Sequence, residues 1–254
     1  MKKRKAGIGI FVIVLIITAV RVKSMDSHRI SGRILAENIA GPGMMRLVEQ
    51  SMQAQAQKTS VTEIAVKEWK HPQAALTFDD GPDIRYTPLL LDGLKERNVR
   101  ASFFLLGEKV EQYPELVERM QKEGHLVGNH TYHHVQLNKL NETKAREEIL
   151  KTNNLIYETT GVYPLYLRPP FGAWKKNLEL CVEMLPVFWT IDTLDWKVKN
   201  TEKIVRTVKE QIEDGAIILM HDEYDTSVEA ALQVVDELKN QGYELVTVDQ
   251  LILP

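Results

Sequence analysis

Three histidines and two adjacent aspartates are the residues of this sequence best suited to hold a metal ion. His130, His133 and His134 lie within five consecutive positions, and Asp79 directly precedes Asp80. Residues four apart share one face of a helical turn, so His130 and His134 can reach one ion, with His133 as a competing ligand. Zinc accepts imidazole nitrogens and carboxylate oxygens, and its catalytic sites keep one position open for water. Solvated histidines in a surface turn are the other interpretation of this spacing.

The aspartate pair has a simpler explanation when it is taken alone. An Asx hydrogen bond in a turn accounts for Asp79-Asp80-Gly81 without any chemistry. Two adjacent carboxylates repel each other, however, and a metal on one with a cation on the other would relieve that repulsion. Arg168 is a suitable cation because it stays charged and can bind a carboxylate through two nitrogens.

Strand and helix patterns alternate from about residue 72 to the end of the chain. Apolar runs predict strands at 74–78, 101–106, 126–128, 165–167, 187–191, 216–220 and 244–248. Periodic apolar residues with capping signals predict helices at 87–97, 114–123, 142–159, 201–212 and 228–240. This alternation predicts an α/β fold with a mostly parallel sheet wrapped by helices. In such folds the working residues follow the carboxyl ends of strands. The candidates at those ends are Asp79, Asp80, His130, Arg168, Asp195 and His221.

Composition excludes several classes of protein. The 254 residues are 44% hydrophobic and 26% charged, which is ordinary for a globular chain. The single cysteine, Cys181, excludes an internal disulfide framework and a cysteine-rich zinc module, so any metal must use His, Asp or Glu. Beyond residue 23 the chain carries 26 basic and 35 acidic residues. Such a body is a poor candidate for binding nucleic acid through its phosphates.

The N-terminus has the pattern of an export segment. Four basic residues at 2–5 precede an apolar run at 6–20, and Arg21 and Lys23 follow. No clean small-x-small cleavage site follows the run, which favours an uncleaved signal-anchor over a removed signal peptide. The basic end would stay cytoplasmic. We therefore expect a signal-anchor or signal peptide at 1–23, a stalk or linker at 24–70 and a globular body at 71–254. The body would be extracytoplasmic on a single-pass membrane protein, or secreted to the cell wall after cleavage.

Five short motifs resemble, in the same order, those of the polysaccharide deacetylase (NodB homology) family, carbohydrate esterase family four. They are Thr77-Phe78-Asp79-Asp80-Gly81, His130-Thr131-Tyr132-His133-His134, Arg168-Pro169-Pro170-Phe171-Gly172, Asp192-Thr193-Leu194-Asp195-Trp196 and Leu219-Met220-His221-Asp222. Each motif alone is modest evidence, but five in sequence are highly specific. The resemblance is to the peptidoglycan N-acetylglucosamine deacetylases in particular. It implies a catalytic domain over 71–254 with a distorted (β/α) barrel. It also implies a divalent metal, commonly Zn²⁺, with Co²⁺, Ni²⁺ or Mn²⁺ as alternatives.

The resemblance also implies a role for each matched residue. Asp79 would be the general base, and Arg168 would steer it. The metal ligands would be Asp80, His130 and His134, whereas His133 falls on a variable position. Asp195 and His221 match the family's aspartate-assisted catalytic acid. The backbone N–H of Phe171, which stands where the family often has Tyr, would serve the oxyanion. Trp196 and Leu219 would line the pocket for the acetyl methyl group.

These roles imply hydrolytic removal of acetate from N-acetylglucosamine residues of an envelope polysaccharide, peptidoglycan foremost. Chitin-like oligomers and exopolysaccharide contain the same sugar and stay open as substrates. An amidase of the same fold acting on a small amide is a further alternative, although the export segment places the body among envelope polymers. A glycan-binding module that has lost activity is the non-enzymatic alternative. Such a loss usually removes a ligand or the base, and both are present here.

Overall fold

The computed structural model describes residues 71–174 and 184–252 of the chain. The predicted signal-anchor at 1–23 and the predicted stalk at 24–70 lie outside the described residues. Within these two ranges, no helix combines the length and the hydropathy needed to cross a bilayer.

The described residues form one sheet of eight parallel strands, arranged as a half-barrel. Its strands are β1 (Gln73–Asp79), β2 (Ser102–Leu105), β3 (Leu126–Asn129), β4 (Tyr166–Leu167), β5 (Leu185–Pro186), β6 (Ile191–Asp192), β7 (Ala216–His221) and β8 (Glu244–Leu245). Their order across the sheet is β5-β4-β3-β2-β1-β7-β6, with β8 paired to the start of β1. All these pairs are parallel, as the alternating sequence pattern predicts.

Helices connect the strands and cover the outside of the sheet. They are α1 (Thr87–Glu96), α2 (Gly107–Gln112), α3 (Pro114–Lys122), α4 (Glu142–Thr160), α5 (Asp195–Val198), α6 (Thr201–Gln211), α7 (Asp225–Asn240) and α8 (Val248–Ile252). Two single turns of 3-10 helix, Leu137–Lys139 and Pro170–Gly172, lie in the loops. Helix α4 has clear boundaries. Asn141 caps its start by accepting a hydrogen bond from the Lys144 N–H, and Gly161 ends it in the left-handed conformation.

The core lies between the central strands and the helices α1 and α7. All seven residues of β1 are buried, and the strand is central in the sheet, with β2 and β8 paired to one edge and β7 to the other. The rings of Phe78 and Phe103 stack at 5.3 Å between centroids, and the ring of His125 packs edge-on against Phe103. This rigid centre carries the strand ends on which the candidate residues sit.

Two predicted strands differ from the observed ones. The prediction for 187–191 is wrong, because only Ile191–Asp192 pairs with β7, while Leu185–Pro186 pairs with β4. The segment between them instead offers the carbonyls of Val187 and Phe188 to the buried side chain of Arg168. The last predicted strand, 244–248, is also too long. The observed strand ends at Leu245. The helix Val248–Ile252 follows it, and the sequence analysis did not predict this helix.

Candidate active site

The carboxyl ends of the parallel strands meet at one rim, and the register brings the candidate residues together there. Asp79 at the end of β1 is the register partner of His221 at the end of β7. Asn129 at the end of β3 is the partner of Leu167 in β4. His130 and Arg168 directly follow these two residues, so they leave their strands side by side.

Asp79 and Arg168 form a buried ion pair. The Arg168 Nη1 donates to Asp79 Oδ1 at 2.8 Å and to Thr77 Oγ1 at 2.6 Å. Arg168 is fully buried and Asp79 is 3% exposed. Burial raises the pKa of Asp79, and the positive charge of Arg168 opposes that rise. A carboxylate with a raised pKa is a stronger proton acceptor, as a general base must be.

Asp80, His130 and His134 form a cluster that could hold a metal ion. One ligand atom of each lies within 4.8 Å of the others. The Nε2 atoms of His130 and His134 both lie 3.4 Å from Asp80 Oδ1. Two ligands of a tetrahedral ion bound at about 2.1 Å are separated by about 3.4 Å, so this spacing fits one ion. Asp80 Oδ1 is also buried without a hydrogen-bond partner, which is costly unless a cation binds it.

The protonation of His130 also fits a metal ligand. Its Nδ1 lies 2.6 Å from the carbonyl oxygen of Arg168. A carbonyl can only accept, so Nδ1 carries the proton, and Nε2, which faces Asp80, has a free lone pair. Burial lowers the pKa of His130 to about 3, although the charge of Asp80 opposes this shift. The neutral imidazole that results is the form that binds metals.

The two histidines converge for a different reason from the one the spacing suggested. The i, i+4 argument assumed a helical turn, but 130–134 is an irregular loop. Thr131 and His134 have φ values of 66° and 54°, in the left-handed region. His133 lies outside the cluster: its side chain is exposed, and its Nδ1 lies 2.8 Å from Glu148 Oε1.

His221 and Asp195 form a second pair at the rim. The Asp195 carboxylate is fully buried and accepts from the Nδ1 of His221 at 2.7 Å and from its backbone N–H at 2.8 Å. Burial lowers the pKa of His221, but the Asp195 hydrogen bond and nearby carboxylates outweigh this effect and raise it to about 9. His221 is therefore charged at neutral pH and can donate a proton. Its Nε2 lies 3.9 Å from Asp80 Oδ2 and so points towards the metal cluster.

The remaining predicted residues are each adjacent to a site residue, either in space or along the chain. Phe171 has a φ of 60° and a side chain that is largely exposed, and its ring centroid lies 4.5 Å from that of His134. Leu219 is buried two residues before His221 on β7, so both side chains point to the same face of the sheet. Trp196 directly follows Asp195 in α5 and is 49% exposed.

Three supporting residues were missed by the sequence analysis. Thr77 Oγ1 accepts a hydrogen bond from the same Arg168 nitrogen that donates to Asp79. The Ser227 Oγ donates to Asp195 Oδ2 at 2.7 Å. Asn129 accepts from the Thr131 N–H through Oδ1 and donates from Nδ2 to α4. Thr77 and Asn129 are polar residues in otherwise apolar strands, which is a usable signal. Ser227 has none, because its contact spans 32 residues of sequence.

Comparison with known proteins agrees with this geometry. The family model described as "Polysaccharide deacetylase" matches residues 67–187. The peptidoglycan N-acetylglucosamine deacetylase PgdA of Listeria monocytogenes is 44% identical over 177 residues, which is 70% of this chain and 38% of that protein. The chain thus spans well under half the length of this relative. A peptidoglycan N-acetylglucosamine deacetylase of Bacillus cereus is 40% identical over 186 residues, covering 70% of this chain and 68% of that protein.

A further relative matches both in sequence and as a solved structure. The peptidoglycan N-acetylmuramic acid deacetylase PdaC of Bacillus subtilis is 44% identical over 177 residues, covering 70% of this chain and 38% of that protein. Its structure superimposes with a TM-score of 0.70 at 42% identity, and the match covers 72% of this chain and 91% of that one. With the ordered motifs, the rim geometry and these relatives together, the chain belongs to the polysaccharide deacetylase family.

Proposed function

We propose that this protein is a metal-dependent hydrolase that removes acetyl groups from N-acetylglucosamine residues of peptidoglycan. One observation carries the proposal: a buried carboxylate, a three-residue metal cluster and a charged histidine meet at the same strand ends. The relatives named for peptidoglycan N-acetylglucosamine supply the substrate class. Acetate and a free amino sugar would be the products.

Asp80, His130 and His134 would hold the metal ion, and we propose Zn²⁺. Two neutral imidazoles and one carboxylate are a common ligand set of catalytic zinc, although Co²⁺, Ni²⁺ and Mn²⁺ accept the same donors. A bound divalent ion would activate a water molecule and polarise the acetyl carbonyl.

Asp79 and Arg168 would carry out the first proton transfer. Arg168 fixes one Asp79 oxygen, Oδ1, by a hydrogen bond of 2.8 Å. The other oxygen, Oδ2, lies 3.7 Å from His130 Nε2 and therefore beside the metal cluster. It can accept a proton from the water that attacks the amide carbon. The Phe171 backbone N–H would stabilise the oxyanion that develops on the carbonyl oxygen.

His221 would complete the reaction by protonating the leaving amine. The amide C–N bond breaks only when its nitrogen receives a proton, since an amine anion is a poor leaving group. Asp195 holds the His221 ring by its Nδ1–H, so the proton on Nε2 is the one that faces the substrate. Trp196 and Leu219 would line a small apolar pocket that accepts the acetyl methyl group in preference to bulkier acyl groups.

The export segment supports an envelope location. We propose that residues 1–23 anchor the chain in the cell membrane and that the half-barrel lies outside the cytoplasm. We also propose that this half-barrel is the distorted (β/α) barrel of the family. Cleavage after the segment would instead release the body to the cell wall. The mass of the mature protein and its fractionation with membranes or medium would decide between the two.

The test is acetate release by the metal-loaded full-length chain from purified peptidoglycan and from chitin oligomers, side by side. We expect release from peptidoglycan, none from Asp80→Ala, and normal release from Asp92→Ala, which removes an exposed carboxylate on α1. Release only from chitin oligomers would keep the chemistry and overturn the substrate. Glycan binding without release from either polymer, or from a small amide, would favour an inactive binding module.

N-acetylmuramic acid is the second candidate sugar, because the relative PdaC is named for it. The same assay separates the two sugars when the treated peptidoglycan is digested and its free amino sugars are identified. Glucosamine would support the proposal, and muramic acid carrying a free amine would replace it with this alternative.

A further inference from the structure

The loop between the metal-binding histidines has no regular structure of its own. Thr131 and His134 are both left-handed, with φ values of 66° and 54°. Left-handed residues other than glycine are uncommon and persist only where their surroundings hold them. Because 130–134 is not helical, the backbone N–H groups of Tyr132 and His133 have no helical partners and need others.

Glu148, on the second turn of α4, supplies those partners. Its Oε2 accepts from the Tyr132 N–H at 3.0 Å and from the His133 N–H at 2.9 Å. Its Oε1 lies 2.8 Å from His133 Nδ1. The side chain is only 16% exposed. A single carboxylate thus makes three contacts, all to the two residues in the middle of the loop.

The same stretch of α4 also holds the beginning of the loop. Asn129, which precedes His130, donates to the Ile149 carbonyl at 2.9 Å and to Asn153 Oδ1 at 2.6 Å. Its own Oδ1 accepts from the Thr131 N–H at 2.6 Å. Asn129 therefore fixes the start of the loop, His130 and Thr131, relative to α4, and Glu148 fixes Tyr132 and His133.

The packing around Tyr132 leaves the loop little room to rearrange. A Cβ added to Gly107 would lie 2.4 Å from the Tyr132 ring and 3.1 Å from its Cα. Lys151, one turn beyond Glu148, places its Nζ 3.4 Å from the centre of the same ring. The loop therefore lies between α2 and α4, with the Glu148 carboxylate hydrogen-bonded to its backbone.

We propose that Glu148 is a positioning residue of the metal site, which sets the metal affinity by holding 131–133 in the conformation that brings His130 and His134 together. This inference rests on the proposed metal site. Glu148 does not touch the ligand atoms. It acts by reducing the conformations that the loop samples without metal, so that less free energy is spent on ordering when the ion binds.

Titration of the full-length apoprotein with Zn²⁺, monitored by calorimetry, tests the proposal. Glu148→Ala should weaken the affinity by about 10–100-fold, the usual effect of removing a group that supports metal ligands. Glu148→Gln keeps one oxygen that can accept the two N–H groups, so its loss should be smaller. Glu147→Gln is the matched control, since it removes the same charge from the neighbouring exposed position. It should bind zinc as the wild type does.

Two further measurements separate positioning from other roles. Thermal unfolding of each apoprotein reports whether α4 and the fold survive. A folded Glu148→Gln that still loses affinity excludes simple misfolding. His133→Ala removes only the side-chain contact to Glu148, so it should bind zinc nearly as well as the wild type.

The outcomes distinguish this inference from the metal site on which it rests. Wild-type affinity in both Glu148 variants, or equal losses in Glu147→Gln and Glu148→Ala, would overturn the positioning role alone. Loss of binding in His133→Ala would show that the His133 side chain is required for the metal site, and it would overturn the assignment of this role to the backbone contacts of Glu148. A wild type that binds no zinc and no other divalent ion would overturn the metal site itself.

Discussion

Arg168 shows how a single side chain defines the chemistry of its neighbour. A buried arginine without a counter-charge would be strongly destabilising. Here its guanidinium donates hydrogen bonds to Asp79 and Thr77, and its central carbon lies 4.2 Å from the centre of the Phe104 ring. Burial raises the pKa of the Asp79 carboxyl, and the positive charge and hydrogen bond of Arg168 oppose that rise, which suits the proposed role of Asp79 as the base. The sequence analysis identified both residues, but their complete burial is a property of the fold.

Asp79→Asn should abolish catalysis while leaving the metal site intact. The Asn Oδ1 can still accept from Arg168, but the amide cannot take a proton from water. Loss of a general base costs about 10²–10⁴ in rate. The measurement is acetate release together with the metal content of the purified variant. Wild-type activity in a folded, metal-loaded Asp79→Asn would show that another group is the base.

Ser227→Ala should lower kcat without changing KM. The Ser227 hydroxyl donates to the buried Asp195 carboxylate, which is bonded to the His221 ring, and Ser227 itself is fully buried. Hydrogen bonds to charged groups contribute about 1.5–3 kcal/mol, so a loss of about 10- to 100-fold in kcat is expected. Ser102→Ala is the control, because it removes a buried hydroxyl that accepts from the Val248 N–H instead. A rise in KM with constant kcat would contradict the assignment.

At the scale of secondary-structure elements, hydrogen bonds connect the loops that follow the strands and carry the site residues. After β1, the Gly81 carbonyl accepts from the Leu106 N–H at 3.2 Å, which joins this loop to the loop after β2. Asp222, directly after β7, is fully buried and accepts from the hydroxyl of Thr87. That hydroxyl also accepts from the Asp83 N–H at 2.7 Å. These contacts connect the loop carrying Asp80 to the strand carrying His221.

Gly81→Ala should displace this loop. The added Cβ would lie 2.5 Å from Asp222 Oδ1 and 2.9 Å from Oδ2, within the buried contact between the loops. Overpacking of this kind costs about 1–3 kcal/mol of stability, and metal affinity should fall because Asp80 is the preceding residue. Unfolding in denaturant and zinc titration measure the two effects.

A double-mutant cycle with Asp222→Ala provides the control for this prediction. Removing the Asp222 carboxylate makes space for the new methyl group, so the double variant should lose less stability than the two single variants together. Strict additivity would show that the two groups do not clash.

The sequence predicted the type of most helices and strands correctly but predicted their boundaries less well. Strong helical periodicity identified α1, α3, α4, α6 and most of α7, because one face of each packs on the sheet. Short strands such as Leu185–Pro186 have no pattern to detect, since two residues of backbone pairing are decided by their neighbours. Similarly, the non-helical loop at 130–134 depends on Glu148, eighteen positions after His130, so its spacing alone pointed to the wrong local structure.

At the scale of the whole molecule, the sheet carries the active rim at the carboxyl ends of its strands, while His125 lies just before the amino end of β3. His125 is 4% exposed, and its Nδ1 accepts from the Ala101 N–H at 3.0 Å. Burial lowers the pKa of His125 to about 4, although the charge of Glu123 opposes this shift. The imidazole is therefore neutral in the folded protein.

This burial makes the stability depend on pH. Below its ordinary pKa of 6.5, His125 binds a proton in the unfolded chain but not in the fold until about pH 4. Its contribution is complete above pH 6.5 and is lost as the pH falls from 6.5 to 4. The linkage amounts to about 3 kcal/mol over that window. Unfolding free energies of the wild type and His125→Asn, whose Oδ1 can accept the Ala101 N–H, should converge as the pH is lowered. A constant difference would contradict the prediction.

The sequence by itself determined which chemical groups this protein has and in what order they occur. Alternating periodicity predicted a parallel α/β fold and placed the candidate residues at strand ends, because these are local signals. The choice of metal ligands and the pairing of Arg168 with Asp79 came from the resemblance of the five ordered motifs to the family. Only the tertiary structure decided the distances between them. The separations of 3.4 Å at Asp80, the burial of Arg168 and the raised pKa of His221 all arise from strand register and long-range packing. Contacts such as that between Asp80 and His221, 141 positions apart, cannot be read from spacing, since each depends on how every intervening element packs.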